Sequence, residues 1–416
     1  MRGVRGCPVY VALAGLVAGA ACGGHADAHD AGAGSDASPG DAAAGRDATI
    51  GSDGGAGSAC PAGSTLVADH TSCSSTVVAP PASLLATDAQ PGDIVSLDGL
   101  DEGALPCFAA VVCAPTGAAT MLFSDDPESP ASDGVLYADT VGPGRARVYV
   151  YHVNADTALR KFPVVVLNEN ATDAHVTITQ EGLGGPSSDY VDVGKAVASA
   201  WMASSLSTVV TVPAGTRVLL DDNLDAEHAA TGELVHAIID VDADAAVKIS
   251  VVSVLAGEDA AAVTASLPLL PNDGLHDRGT FPGADMWIAG SVGGEGSSAR
   301  HVSLGANTFE PDLTGVDATT GSAATLDGNY GVAYHFAIAS TDPLRVAASA
   351  RGGGWEGALA GSAGSATVTP LPTTTGALST TTDVVWLATL PIGLATFVLM
   401  SGGGSSLPVD VMTLTP

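Results

Sequence analysis

Short runs of β-branched and aromatic residues, each stopped by glycine, proline, asparagine or aspartate, recur along most of this chain. A chain punctuated in this way has room for many strands and turns and for few long helices. Residues 145–154 (RARVYVYHVN) are dense in valine and tyrosine, and residues 162–167 (FPVVVL) form a continuous apolar run. In residues 175–180 (HVTITQ), Val176 and Ile178 alternate with polar residues, as in a half-buried strand. Residues 207–220 read as strand, Pro-Ala-Gly turn, strand, and residues 236–254 as a hairpin around residues 242–245. One helix is expected between residues 192 and 204, where Val193, Ala196, Val197, Ala200 and Trp201 recur at helical spacing. Further strands are expected at residues 286–292, 299–304, 330–340, 344–350, 366–371, 384–390, 394–400 and 409–414. The 52 glycines and 24 prolines supply the turns between them. The expected fold is all-β: two antiparallel β-sandwich-like domains in tandem, with one short helix in the first.

The domains are expected to meet at residues 271–282 (PNDGLHDRGTFP), which combine turn residues with the charged group His276, Asp277 and Arg278. No other Lys or Arg lies between Lys248 and Arg300, so Arg278 should be held by carboxylates or carbonyls from both domains. Phe281 should wedge between them. This divides the mature chain into a small disulfide-containing segment at 60–116, packed on the first domain at 117–270, the seam at 271–282, and a second domain at 283–416. Residues 384–400 (VVWLATLPIGLATFVLM) approach the length of a membrane span. The central Pro391-Ile392-Gly393 and the lack of Lys or Arg after Arg351 favour a buried hairpin instead.

The first 22 residues read as an export signal. Arg2 and Arg5 precede a short apolar run, then small residues and Cys22. The order resembles a bacterial lipobox, with Gly19 where an aliphatic residue is usual. Cys22 is therefore the expected lipidation site, and Gly23 after it favours the outer membrane by resemblance to enteric sorting rules. Residues 23–59 are Asp/Ala/Gly-rich and carry almost no bulky apolar group, the composition of a disordered tether. Export makes disulfides the expected state of Cys60, Cys73, Cys107 and Cys113. Of the three connectivities, the local pairs Cys60–Cys73 and Cys107–Cys113 are favoured. With 45 acidic against 14 basic residues, a net charge of −31, nucleic acid is excluded as a partner.

No nucleophile elbow, HExxH, P-loop or dinucleotide fingerprint occurs. Asp240, Asp242 and Asp244 open like a calcium loop, but Ala245 and Val251 replace its glycine and glutamate. Asp221, Asp222 and Asp225 form a second acidic turn. Calcium at such turns is the one cofactor that stays open. No catalytic residue and no metal ligand is assigned.

The phrases LFSDDPE (122–128), YHVN (151–154), RGTFP (278–282), DGNYGV (327–332), RGGG (351–354) and SSLPV (405–409) together resemble a group of uncharacterised exported bacterial proteins. Some members of that group carry a copper-amine-oxidase N-terminal-like domain; neither that domain nor an amine-oxidase pattern is present here. The resemblance implies an envelope location and a β-rich architecture, with no established reaction. The tether resembles leaders of myxobacterial exported proteins. The resulting expectation is a non-enzymatic envelope lipoprotein, membrane-bound through its lipid, with an envelope protein or glycan as partner. A carbohydrate-active or other hydrolase on a β scaffold and a calcium-stabilised adhesion module are the alternatives.

Overall fold

The computed structural model describes residues 59–72, 76–294, 296–361 and 367–416, and the fold is all-β. The signal segment, Cys22, the tether to residue 58 and Cys73 lie outside the described residues. The strands build four sheets. An eight-stranded sheet runs in the order Thr208–Val212, Ala174–Ser187, Leu234–Ala243, Gly144–Val153, Thr120–Ser124, Arg278–Phe281, Leu313–Asp317, Ser322–Leu326. It faces a five-stranded sheet built on Arg217–Leu219, Val164–Leu167, Val247–Leu255 and Gly134–Val141, with Arg160–Lys161 beside Val247–Leu255. Alternate residues of a strand point to opposite faces. Val148 and Val150 accordingly join Val164 and Ile249 in the core between these two sheets. Tyr149 and Tyr151 turn the other way, into a different core.

A seven-stranded sheet runs Ser64–Asp69, Ala109–Pro115, Asp285–Val292, Ala333–Ser340, Gly393–Ser401, Gly357–Ala360, Thr369–Leu371. It packs on a five-stranded sheet in the order Ser298–Leu304, Val409–Thr415, Leu344–Ala350, Asp383–Leu390, Ile94–Ser96. Ile288 and Phe336 meet Val346 and Val385 between them. Leu84, Leu97 and Leu105 cover the far face, against Ala347 and Trp386. Each such fully buried aliphatic or aromatic side chain contributes about 1.5–3 kcal/mol. The helix Tyr190–Ala203, capped by Asp189, touches Ala174–Ser187 and Leu234–Ala243 of the eight-stranded sheet and Gly357–Ala360 and Thr369–Leu371 of the seven-stranded one. Val193, Val197 and Trp201 are its buried stripe.

Several expectations need correction. The seam is no linker: Arg278–Phe281 is a strand inside the eight-stranded sheet, and Leu313–Asp317 and Ser322–Leu326 extend that sheet beyond it. Residues on both sides of the seam thus share one sheet within one compact unit, Gly54–Pro416. Segment 60–116 packs on the second sandwich, because Ala109–Pro115 pairs with Asp285–Val292 and Ile94–Ser96 with Asp383–Leu390. The three supposed hairpins are crossings between facing sheets. The strand pairs at 208–219, 234–255 and 383–401 each place one strand in either sheet of a sandwich. Two strand pairs are parallel, Thr120–Ser124 with Gly144–Val153 and Asp285–Val292 with Ala333–Ser340. Short helices at Ala82–Ala86, Asp222–Asp225 and Ala260–Val263 accompany the long one.

The local disulfide pairing is also corrected. Cys60 is bonded to Cys113, because Ser64–Asp69 runs antiparallel to Ala109–Pro115 and brings the two together. Cys107 and Cys113 are six residues apart on extended chain, roughly 20 Å at strand rise, beyond disulfide reach. Cys107 is disulfide-bonded as well, to a partner outside the described residues.

Candidate functional site

Where the two sandwiches meet, a cavity of about 230 Å³ is lined by Asp125, Glu128, Tyr149, Tyr151, His276 and Tyr330, closed by Gly404 and Ser405. Its walls come from separate parts of the chain. Asp125 and Glu128 follow the strand Thr120–Ser124, and Tyr149 and Tyr151 share the outward face of Gly144–Val153. His276 precedes Arg278–Phe281, and Tyr330 follows the turn Asp327–Asn329. The phrases at 122–128, 151–154, 327–332 and 405–409 each supply a lining residue. The phrase at 278–282 begins two residues after His276, and the one at 351–354 holds the closing loop through Gly354 O, which accepts from Ser406 N (2.7 Å).

The closing loop can lie there only because it is glycine. A Cβ on Gly403 would stand 2.8 Å from Tyr149 Oη and 2.9 Å from His236 Nε2. On the opposite side, a Cβ on Gly194 of the helix would stand 1.8 Å from Gly403 O. Tyr330 Oη donates to Ser405 O (2.6 Å), tying the loop to the tyrosine wall.

The electrostatics are uneven. His276 donates to Glu128 Oε2 (2.9 Å) and to Asp273 Oδ2 (2.7 Å). These carboxylates push His276 up to about 10, so it is an imidazolium at neutral pH. Burial opposes ionisation of Asp273, but hydrogen bonds from His276 and the backbone of Leu275, Glu128 and His276 hold it at about 2. Asp125 is the opposite case. Its Oδ1 is sealed from solvent with no hydrogen-bond partner. Burial, then the nearby Glu128, push this carboxyl well above its usual range. Burial also moves Asp277 up to about 6, although it accepts from Asp327 N (2.8 Å). Burial raises the phenols of Tyr149 and Tyr151, and moves Tyr330 up to about 12, so all three stay neutral donors. Behind the wall, His236 gives Nδ1 to Val150 O (2.7 Å) and is pushed down to about 4 by burial; its Nε2 has no partner.

A second cavity, about 350 Å³, lies among Arg145, Arg147, Trp201, Asp285, Trp287 and His335. The Arg147 guanidinium there is fully engaged. It binds Asp240 through Nε (2.7 Å) and Nη2 (3.1 Å) and donates to Ala284 O (2.6 Å) and Gly331 O (3.0 Å). Its Cζ lies 4.1 Å over the Trp201 ring. It clamps the sandwiches together and is not free for a ligand.

Arg278, 3% exposed, is a second buried clamp. It donates to Asp317 Oδ2 (3.1 Å), to Asn272 Oδ1, and to the carbonyls of Asp126 (3.3 Å), Leu136 (3.2 Å) and Leu270 (3.0 Å). Phe281 is fully buried beside it in the core. Of the seam residues, only His276 lines the cavity. Three of the six carboxylates considered for calcium are held by other side chains: Asp240 by Arg147, Asp225 by Lys161 and Asp244 by the His175 ring. Among the described residues no group of three or more His, Cys, Asp or Glu is placed to hold a metal ion. Ser124 Oγ and His152 Nε2 lie 2.9 Å apart, but both are fully buried. Burial pushes His152 down to about 3, too low for a general base.

Sequence reasoning missed Asp125, Glu128, the three tyrosines and Arg147 as site or junction residues. Asp125, Glu128, Tyr151 and Tyr330 share one signal, membership of the phrases behind the resemblance; Tyr149 and Arg147 lie outside those phrases. The fold defines an all-β protein of two packed sandwiches with a cavity at their junction. No family model matches the chain. No curated protein matches it either. Among solved structures, tripeptidyl peptidase 2 shares 10% identity over 79% of this chain at a TM-score of 0.17, and this chain spans only 26% of its length. Oxalate decarboxylase from Bacillus subtilis shares 12% identity over 72% of this chain and 76% of its own, at 0.10. The coconut allergen cocosin shares 10% over 69% and 82%, at 0.11.

Proposed function

We propose that this chain is an exported envelope lipoprotein, anchored through Cys22, that binds a small ligand in the cavity of Asp125, Glu128, Tyr149, Tyr151, His276 and Tyr330. The observation that carries this reading is the convergence of distant segments on one cleft bordered by Asp125, whose Oδ1 has no hydrogen-bond partner. Apolar and aromatic walls with a few convergent polar groups are the usual make-up of a ligand pocket. Binding is favoured over catalysis because, among the described residues, the hydrogen-bonded pair Ser124–His152 is buried away from the cavity, with its histidine pushed down to about 3 by burial. A thermal-shift screen of small polar metabolites tests the reading. A stabilising compound whose effect disappears in Tyr151→Leu supports it, and a panel without effect argues against it.

One observation favours a second reading, a carbohydrate-active enzyme. Asp125, whose carboxyl burial pushes well above its usual range, lines the same space as Glu128, two carboxyl groups of unlike environment as glycosidases use for their acid and partner. Release of nitrophenol from aryl glycosides, abolished by both Asp125→Asn and Glu128→Gln, would establish it.

A further inference from the structure

We infer that the ligand is a small organic cation, an amine or quaternary ammonium group held against Asp125 within the tyrosine walls. This rests on the cavity being the ligand site. The first argument is charge. The loop after Thr120–Ser124 brings Asp125 and Glu128, the turn before Arg278–Phe281 brings Asp273, His276 and Asp277, and the turn before Tyr330 brings Asp327. The strand Gly144–Val153 and the loop at 404–405 add only phenols, a glycine and a serine. Set against these carboxylates is one cation, His276, already bound to Glu128 and Asp273. Arg278 is turned away, to Asp317, Asn272 and backbone carbonyls.

The second argument is the unsatisfied atom. Asp125 Oδ1 is out of solvent with nothing donating to it. A buried acceptor without a partner is costly, more so when charged, so a ligand that donates there recovers that cost. A hydroxyl supplies the donor alone; a protonated amine supplies donor and charge, and a quaternary ammonium supplies the charge, with its donor coming from an attached hydroxyl as in choline. The third argument is the wall. Three tyrosine rings border a space of about 230 Å³; Tyr149 is stacked on Phe123 (4.3 Å between centroids), which leaves Tyr151 and Tyr330 to offer phenol faces, whose quadrupoles attract cations. A bare metal ion would need several converging oxygen or nitrogen ligands, and the described residues offer no such group. The volume falls below the roughly 300–1,000 Å³ of drug-sized pockets, which restricts the ligand to a small amine. A protein of net charge −31 also draws cations from solution.

The test uses the mature protein with choline and its neutral isostere 3,3-dimethyl-1-butanol, which share a shape and differ in charge. Titration calorimetry should show choline binding at least tenfold tighter than the alcohol, and weakening as salt rises. Asp125→Asn, which keeps the shape but cannot ionise beside a cation, should reduce choline affinity about tenfold or more, and Tyr151→Leu likewise, with melting curves confirming that both variants fold. Equal binding of choline and the alcohol, or choline binding that survives both substitutions, overturns the inference. Binding of methyl glucoside that needs Tyr151, with none of choline, overturns the cation and leaves the ligand site standing. Silence from these probes and from the wider metabolite panel overturns both.

Discussion

Replacing Arg278 with alanine removes a guanidinium whose acceptors come from both sides of the seam. Asp126, Leu136 and Leu270 lie before it and Asp317 after it. The Arg278 and Asp317 side chains are 1% and 4% exposed, so solvent screens the pair little. Breaking one partner of such a buried pair costs about 3–5 kcal/mol, because the remaining charge is left uncompensated. Thr319 and Thr320 still donate to Asp317, which places the expected loss near the lower end, about 3 kcal/mol. Three carbonyls also lose their donor. Against a typical total stability of about 5–15 kcal/mol, the urea midpoint should fall visibly. Burial opposes ionisation of Asp317, but the threonines and Arg278 win and hold its carboxyl below the usual range. A depressed carboxylate contributes stability above its unfolded pKa and loses it as pH falls through the folded one. The deficit of Arg278→Ala should therefore be full at neutral pH and shrink in acid. Arg278→Ala, Asp317→Ala together should cost less than the sum of the two. A midpoint unchanged at pH 7, or rapid native cleavage after Arg278 releasing two stable fragments, would refute the clamp.

Glu310 accepts from Gly305 N and Tyr334 Oη through Oε1 while Oε2 has no partner, and burial pushes it up to about 7. A raised carboxyl stabilises the fold below its unfolded pKa and loses that contribution as pH rises to about 7. Glu310→Gln should thus gain up to about 3 kcal/mol relative to wild type between pH 5 and pH 8, read from urea melts at both. Gly194→Ala separates packing from propensity. Helix propensity alone predicts a gain of about 1 kcal/mol, whereas the approach to Gly403 O predicts a loss of about 2 kcal/mol or more, decided by thermal melts. Non-reducing peptide mapping should recover Cys60 linked to Cys113, and opening that 53-residue separation with Cys60→Ser should cost about 2–4 kcal/mol. Cys22→Ser should lose labelling by a fatty-acid probe and partition into the aqueous phase; unchanged membrane association would count against the lipid anchor.

The strands were legible because their signal is local. Residues 344–350 and 409–414 announce themselves by apolar content between turns, and the helix at 190–203 by its spacing. Which sheet a strand joins is not local. In residues 384–400, both flanks of the Pro-Ile-Gly turn read as apolar on both faces, although only Asp383–Leu390 is buried on both and Leu394 is 71% exposed. Nothing in that run separates a hairpin from a crossing. The strands Leu313–Asp317 and Ser322–Leu326 were missed because LTGVD and SAATL are small and half polar, as suits the edge of a sheet. Arg278 was legible as an isolated cation. Arg147 was not, since an arginine two residues from Arg145 reads as a polar strand face until Asp240 is set beside it. The cavity was hidden for the same reason: Asp125 and Tyr330 are turn residues until the fold makes them neighbours.

The most direct measurement is a crystal structure of the mature protein grown with choline. The ligand-cavity reading predicts density for the compound beside Asp125 Oδ1, against the rings of Tyr151 and Tyr330. A cavity filled by water alone, or choline seated instead between Trp287 and His335, would contradict it.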